Sequence, residues 1–159
     1  MPLVRPHLPL SPLFETLGYH IEVNTEAAEA HSRIEISDLH LNLQSVLRGR
    51  VRAALLDIAS GITASLTADP TEVVPFLTLS LNVSYMVARN KGTMRAKGRI
   101  TGGGRGTKFV PCDLIDETGQ AITASAGVSK RAQTHYRKAS HECAPSHRDP
   151  GQRPDHLEL

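Results

Sequence analysis

Residues 42–70, NLQSVLRGRVRAALLDIASGITASLTADP, decide the fold of this chain. Aliphatic residues recur in this stretch every three or four positions, at Val51, Leu55, Ile58, Ile62 and Leu66. This spacing is typical of an α-helix that buries one apolar face. Asp69 and Pro70 then end the pattern, because proline cannot continue a helix. The sequence therefore predicts one long helix at about 49–67.

The helix has a second face of small residues around one acid, made of Ala53, Ala54, Asp57, Gly61 and Ala64. Glycine inside a helix costs about 1 kcal/mol relative to alanine. Gly61 therefore indicates that another backbone packs closely against this face. The aliphatic face can pack on the chain's own sheet, whereas the small-residue face suits a symmetry mate. We predict a homodimer, or a tetramer built from two such dimers.

Strand patterns flank the helix on both sides. Before it, a short helix at about 12–17 is followed, from Tyr19 to Ile36, by an alternation that is typical of a half-buried strand. After it, turns rich in Gly and Asp separate four strand-like segments, at about 76–87, 93–101, 107–116 and 121–130. We predict that these four segments form an antiparallel meander. The fold class is therefore α+β, with one long helix across an antiparallel sheet.

One domain fits the length of 159 residues, which provides a single core of ordinary size. We predict an irregular lead at residues 1–10, the domain at 11–131 and a disordered tail at 132–159. The tail loses the apolar pattern and contains His, Pro and Arg. Because aromatic residues make up only 4% of the chain, we expect an aliphatic core.

Composition argues against several classes of partner and location. The net charge of +2 is spread along the chain, so nucleic-acid binding is not expected. No segment approaches the roughly 20 apolar residues of a membrane span, and the proline-rich N-terminus does not fit a signal peptide. Two cysteines make no disulfide framework, which fits a soluble protein of the reducing cytoplasm. His141, Cys143 and His147 lack the spacing of a closed metal site, so we predict no metal.

Asn42, Arg48, Gly49 and Asp57 have the spacing of a known active-site motif. They resemble the hotdog-fold thioesterases related to the phenylacetate-pathway and hydroxybenzoyl-CoA enzymes. That family has Asn, then His-Gly-Gly six residues later, then an acid nine residues after the His. Asn42 lies six residues before Arg48, and Asp57 lies nine after it. The similarity covers about residues 13–131. It implies a hotdog fold, an antiparallel sheet wrapped around a long central helix in an oligomer.

The resemblance implies an acyl-CoA thioesterase. Asp57 would be the base or nucleophile, and the backbone N–H of Gly49 would donate to the thioester oxygen. Asn42 would contact the carbonyl or the water, with the alternative that it only makes a turn. Thr78 would orient the water. Asp57 of one subunit would face Asn42, Gly49 and Arg48 of the other across the interface. Coenzyme A enters as part of the substrate, so no separate cofactor is expected.

Two residues depart from the family pattern. Arg48 stands where the family has His, and Arg50 where it has the second Gly. Arg48 can stabilise an oxyanion or hold the loop through hydrogen bonds, but it cannot titrate near neutral pH. The alternative function is therefore a noncatalytic hotdog module that binds acyl-CoA. A hotdog dehydratase or hydratase ranks last, because its His–acid motif is not found. The acyl preference and the choice between dimer and tetramer stay open.

Four basic residues in or beside turns are candidates for binding the phosphates of coenzyme A: Arg89, Lys91, Arg105 and Lys108. The alternative for each of them is ordinary solvated charge.

Overall fold

The computed structural model describes residues 12–24, 29–69 and 74–132. In chain order they form α1 (Pro12–Leu17), β1 (His20–Asn24), β2 (Glu29–Glu35), a 3₁₀ turn (Asp38–His40), α2 (Gly49–Ala68), β3 (Phe76–Tyr85), β4 (Thr93–Gly98), β5 (Gly102–Gly103), β6 (Thr107–Phe109), β7 (Cys112–Ile115) and β8 (Ala121–Arg131). The predicted lead at 1–10 lies outside the described residues. The predicted tail at 132–159 does too, except for Ala132.

The strands of these three ranges form one antiparallel sheet. Its order runs β1-β2-β4-β7-β8. β7 and β6 share one edge of β8, and β5 extends β6. β3 pairs with the opposite edge of β8, from Phe76 opposite Arg131 to Tyr85 opposite Thr123. Within the described chain β3 is therefore an edge strand.

The predicted meander is wrong for β3. This strand pairs with β8 rather than with β4, and β4 instead pairs with β2 and β7. The reason lies in the connection between them. Residues 86–92 link β3 to β4, which is too long for the two-residue turn that pairs consecutive strands. The remaining strands β4, β7 and β8 do follow one another as predicted.

Two predicted strands are split. The pattern from Tyr19 to Ile36 belongs to a hairpin, in which β1 pairs with β2. The segment predicted at 107–116 is broken into β6 and β7, because Pro111 has no N–H to donate to a ladder. The segment predicted at 93–101 ends at Gly98.

The long helix agrees with the prediction at both ends. It begins at Gly49, after Arg48, whose carbonyl accepts from the N–H groups of Val51 at 3.1 Å and Arg52 at 3.2 Å. It ends at Ala68, where the N–H of Asp69 donates to the Ser65 carbonyl at 3.1 Å. α1, at Pro12–Leu17, also lies where it was predicted.

The predicted buried face of α2 is partly wrong. The buried residues of this helix are Val51, Arg52, Leu55, Leu56, Ala59, Ser60, Thr63, Ala64 and Ser65. Ile58, Ile62 and Leu66 are only half-buried. The sheet lies so close that small and hydroxyl side chains face it, and the Ser32 hydroxyl donates to the Leu55 carbonyl at 2.8 Å. Part of the aliphatic face is therefore left at the surface of the protomer.

The core lies between α2 and the concave side of the sheet. Its largest fully buried side chains are aliphatic and include Ile34, Leu55, Leu56, Met94, Leu114 and Ile122. Each such side chain contributes about 1.5–3 kcal/mol when it is removed from water. The expectation of an aliphatic core is thus met, with Tyr19 as its one buried aromatic residue among those described.

α2 also corrects the expectation about apolar segments. By length and composition it could cross a membrane, since its mean hydropathy reaches 1.2 over 18 residues. Half of that window is buried inside the protein. It contacts β2, β3, β4, β7 and β8, as the core helix of a folded domain does.

At Gly98 the sheet lies close to α2. A Cβ at this position would lie 2.5 Å from Thr63 Oγ1 and 3.1 Å from both the Ala59 carbonyl oxygen and Cys112 Sγ. We expect Gly98→Ala to lower the free energy of unfolding by about 1–3 kcal/mol, the usual cost of overpacking. Urea denaturation measures this change. Gly104→Ala, whose added Cβ meets no described atom within 4 Å, is the control. Equal stability of the two variants would contradict this packing.

Candidate active site

Asp57 and Thr78 meet where α2 crosses β3. The Thr78 hydroxyl donates to Asp57 Oδ1 at 2.5 Å. Asp57 is half-buried and Thr78 is exposed, so this pair reaches the surface of the protomer. Two of the predicted site residues are thus in direct contact. Their arrangement holds a carboxylate oxygen in a fixed direction while the group stays accessible.

Gly49 lies at the other end of the pair formed by α2 and β3. It is the first residue of α2, and the first N–H groups of a helix have no acceptor within the helix. They also carry the positive end of the helix dipole. The Tyr85 hydroxyl donates to the Gly49 carbonyl at 3.2 Å, and a Cβ at position 49 would lie 3.2 Å from the Tyr85 ring. Glycine therefore lets the tyrosine ring cover this helix start.

Asn42 and Arg48 both stabilise the loop that leads into α2. The side-chain oxygen of Asn42 accepts from the N–H groups of Gln44 and Val46, each at 3.0 Å. The Nε of Arg48 donates to the Leu41 carbonyl at 2.6 Å. For Asn42 these contacts are those of a turn-forming residue, which was one of the two alternatives. For Arg48 they are those of a residue that holds the loop.

Arg52 is a feature that the sequence reasoning missed. Its side chain is buried, at 4% exposure, and Nη1 donates to the Val87 carbonyl at 2.8 Å and to Thr123 Oγ1 at 3.4 Å. Its guanidinium carbon lies 6.0 Å from the centroid of the Tyr85 ring. Nε has no hydrogen-bond partner among the described residues. Desolvation lowers the pKa of Arg52, Tyr85 opposes this change and Arg89 adds to it.

An open cavity of about 270 Å³ lies at this start of α2. Its walls are formed by Leu47, Gly49, Arg52, Tyr85, Met86, Val87 and Ala88.

The sequence signal that could have identified Arg52 as a buried residue is its position in the helix. It is a charged residue beside Val51 on the helix face that also carries Leu55 and Leu56.

The four basic candidates for phosphate binding fall into two separate groups. Arg89 lies near the start of α2, since its carbonyl accepts from the Leu47 N–H at 2.7 Å. Its side chain forms an ion pair with Asp116 at 2.8 Å, and Lys91 nearby is exposed. The other group contains Lys108 and the exposed Arg105. It lies on the Thr78 side of the sheet, because Ser129 of β8 pairs with Lys108 on one side and with Thr78 on the other.

The two halves of the predicted site are far apart in one protomer. Asp57 lies eight positions after Gly49 along α2. At 1.5 Å per residue, this places them about 12 Å apart along the helix axis. A reacting carbonyl must lie within about 3 Å of both its attacking group and its hydrogen-bond donors. A single α2 cannot supply both groups to one thioester.

Solved structures match the chain, whereas no protein-family model and no curated protein matches it. A thioesterase from Haemophilus influenzae has a TM-score of 0.69 at 18% identity, over 78% of this chain and 86% of that one. A phenylacetic acid degradation-related protein from Ralstonia eutropha has 0.67 at 25% identity, over 79% and 94%. The PaaI protein of the phenylacetic acid degradation operon of Escherichia coli has 0.68 at 14% identity, over 77% and 86%.

These similarities confirm the predicted resemblance at the level of structure. The chain has the α+β hotdog fold, an antiparallel sheet around one long central helix, in the form found in thioesterase superfamily structures.

Asp116 stabilises the turn between β7 and β8. It forms an ion pair with Arg89, the residue that follows Ala88 of the cavity wall. Hydrogen bonds from the Thr118 hydroxyl and from Arg89, with further ones from the N–H groups of Gln120 and Thr118, lower the pKa of Asp116 to about 2. A carboxyl whose pKa is depressed in the folded state stabilises the protein above its unfolded value of 3.8. That stabilisation is lost as the pH falls through about 2.

We therefore expect Asp116→Asn to lower the urea midpoint at neutral pH. The difference from the parent protein should shrink as the pH falls from 3.8 toward 2, because the parent carboxyl then becomes neutral as well. Asp113→Asn, which breaks an exposed pair with Arg99, is the control and should change the midpoint little. A difference that is independent of pH would contradict this role of Asp116.

Proposed function

We propose that the protein is an acyl-CoA thioesterase whose active site is shared between two subunits. Asp57 of one subunit acts on a thioester whose carbonyl oxygen is bound by the Gly49 N–H of the partner subunit. The observation that carries this proposal is the separation of Asp57 and Gly49 by about 12 Å on one helix. The naming of similar folds as thioesterases, including the Haemophilus influenzae protein, supports the class of reaction.

A two-fold axis would bring the two halves together. Ala53 is the midpoint between Gly49 and Asp57, and it is half-buried and small, which suits the close crossing of two antiparallel helices. On β3, Thr78 lies beside Asp57 and Tyr85 beside Gly49. An axis that passes near both midpoints would set Asp57 and Thr78 of one subunit against Gly49 and Tyr85 of the partner subunit.

The free edge of β3 supports the same dimer. Leu77 and Leu79 on this strand are exposed, at 62% and 59%. A long edge strand with exposed apolar side chains tends to pair with another strand unless it is covered. Pairing of β3 with its symmetry copy would cover it and would extend the sheet. Gly61, where a Cβ meets nothing within 4 Å among the described residues, leaves room for the partner subunit.

The chemistry follows from these groups. Asp57 accepts a proton from a water molecule, whose oxygen forms a bond to the thioester carbon. The negative charge that develops on the carbonyl oxygen is stabilised by the Gly49 N–H and by the start of α2. The carbon–sulfur bond then breaks, and the thiolate sulfur takes up the proton. The products are a free acid and coenzyme A. In the other variant of this mechanism, Asp57 attacks the carbon itself and water hydrolyses the resulting anhydride.

The other predicted residues take supporting roles in this proposal. Thr78 orients the Asp57 carboxylate through its hydrogen bond, and Asn42 and Arg48 hold the loop that presents Gly49. The phosphates of coenzyme A would lie between the two groups of basic residues, which the two-fold axis would bring to the same side. Lys91 and Arg105 are the exposed members of these groups. Coenzyme A is part of the substrate, and the site needs no further cofactor.

A noncatalytic acyl-CoA-binding module is the second candidate. It is favoured by Arg48, which stands in place of the family's His and is engaged with the Leu41 carbonyl. Release of free thiol from a panel of aliphatic and aromatic acyl-CoAs, measured beside thermal shift with the same compounds, separates the two functions. Stabilisation without thiol release would favour the binding module.

The catalytic role of Asp57 is tested by Asp57→Asn. We expect kcat to fall by at least about a hundredfold, the usual effect of losing a general base, while the thermal midpoint and the oligomeric state are retained. Thr78→Val, which removes only the hydrogen bond to Asp57, should lower kcat less, by about tenfold. Asp113→Asn is the control for loss of a carboxylate. Turnover near that of the parent protein in Asp57→Asn would refute the assignment.

The role of α2 in dimerisation is tested by Gly61→Ala. In a lone protomer this change should stabilise the helix by about 1 kcal/mol. Where the partner subunit packs on Gly61, the added methyl group should instead raise the dimer dissociation constant by about tenfold or more. Thr67→Ala, at an exposed position of α2, is the control for helix propensity. Light scattering over a dilution series measures the dimer dissociation constant of each variant. Only single-chain species at all concentrations would contradict the dimer.

A further inference from the structure

The cavity at the start of α2 contains a positive charge that the proposed reaction does not use. Arg52 lies one turn after Gly49, on the same side of the helix, and both line the cavity. Arg52 is 4% exposed, so its guanidinium forms an inner wall rather than a rim. The reacting carbonyl bound at Gly49 would therefore have this charge as a close neighbour.

Arg52 has no counterion in the described part of the chain. Among those residues the arginine–carboxylate ion pairs join Arg89 to Asp116, Arg95 to Glu22 and Arg99 to Asp113. The partners of Arg52 are neutral, namely the Val87 carbonyl and the Thr123 hydroxyl, and both are bound by Nη1. Buried charges in proteins are normally paired.

The donors that remain on Arg52 suit a carboxylate. A guanidinium has five N–H donors in a planar fork, which can bind both oxygens of one carboxylate. Nε is buried and has no acceptor among the described residues. Arg89 and the start of α2 add positive potential to that of Arg52. The cavity thus combines an open volume with a cation in its wall that has no counterion among the described residues.

The other residues of the cavity wall determine which part of a ligand could lie between its carbonyl and its anionic group. Leu47, Met86, Val87 and Ala88 give it an apolar lining beside Arg52. Residues one turn apart on a helix are separated by about 5–6 Å. A ligand that reaches from Gly49 to Arg52 therefore has a short apolar spacer between a carbonyl and an anionic end.

We propose that this cavity binds the acyl group and that Arg52 binds a carboxylate at its far end, so that the substrates are thioesters of short dicarboxylic acids. This inference rests on the proposed thioesterase function, since it uses Gly49 as the site of the thioester carbonyl. The phosphates of coenzyme A do not fit the same position. The pantetheine arm keeps them far from the thioester, whereas Arg52 lies one helical turn from Gly49.

Paired substrates of equal chain length test the proposal. Hydrolysis of succinyl-CoA is compared with that of butyryl-CoA, and glutaryl-CoA with pentanoyl-CoA. The parent protein is expected to prefer the dicarboxylic member of each pair by at least about tenfold in kcat/KM, the usual effect of a charge-assisted hydrogen bond. Arg52→Gln, whose amide can still donate to the Val87 carbonyl, should reduce this ratio to about one. Arg99→Gln, at an exposed ion pair, is the control for loss of charge and should keep the ratio.

Arg52→Lys serves as the second variant, in case Arg52→Gln does not fold by circular dichroism. It keeps the charge but loses the planar fork, so a smaller preference in the same direction is expected. Equal rates for the two members of each pair in the parent protein would overturn the proposal. So would a ratio that neither Arg52 variant changes, because Arg52 would then only tether Val87.

A thermal-shift experiment separates this proposal from the proposed function. If the parent protein cleaves neither these four thioesters nor any other member of the acyl-CoA panel, the thioesterase assignment fails, and the carboxylate site is judged by free acids alone. Glutarate should then stabilise the parent protein more than pentanoate does, and Arg52→Gln should remove that difference. Equal shifts for the two acids in the parent protein would overturn the carboxylate site as well.

Discussion

The rise of α2 is the constraint on which the proposed site depends. It separates Gly49, where the helix dipole and a backbone donor are available, from Asp57, where the carboxylate lies, by about 12 Å. β3 contacts the helix at both of these points, with Tyr85 beside the first residue and Thr78 beside the second. Several features without a role in the described part of the protomer lie along this helix and strand. They are the exposed leucines of β3, the open space at Gly61 and the small side chains of Ala53 and Ala54.

The long helix was predictable because its signals are local. Its period, the glycine at its start and the Asp69-Pro70 pair after it all act within a few residues, and the observed bounds differ from the prediction by one residue. Its buried face was not predictable in the same way. Burial on α2 is decided by how close the sheet approaches, and a sheet with Gly98 opposite Thr63 selects small residues instead of Ile62 or Leu66. Strand pairing has the same difficulty, since the alternation in β3 does not specify whether β4 or β8 lies beside it.

The candidate site was predictable where it rests on spacing and hidden where it rests on tertiary contacts. The intervals from Asn42 to Arg48 and on to Asp57 carried the resemblance, and the contact between Asp57 and Thr78 agrees with it. No motif spacing of this kind includes Arg52. It is one of three arginines near the start of the helix, with Arg48 and Arg50, and only the packing of Tyr85 and Val87 around it makes it a buried cation. Arg89 shows the opposite case, because its ion pair with Asp116 occupies a side chain that the sequence offered only as a candidate for phosphate binding.

The shared site is tested most directly by complementation between two inactive variants. Gly49→Pro removes the backbone donor at the first position of α2, where proline is tolerated, and the extended backbone of Arg48 is compatible with a following proline. Gly49→Ala, which also places a Cβ against the Tyr85 ring but keeps the N–H, is the control for this contact. The second variant is Asp57→Asn. When the two are unfolded together and refolded as a mixture, half of the dimers should contain one intact site, so activity should return to about one quarter of the parent value. Mixed dimers that form but remain as inactive as either variant alone would show that Gly49 and Asp57 do not act together across the interface.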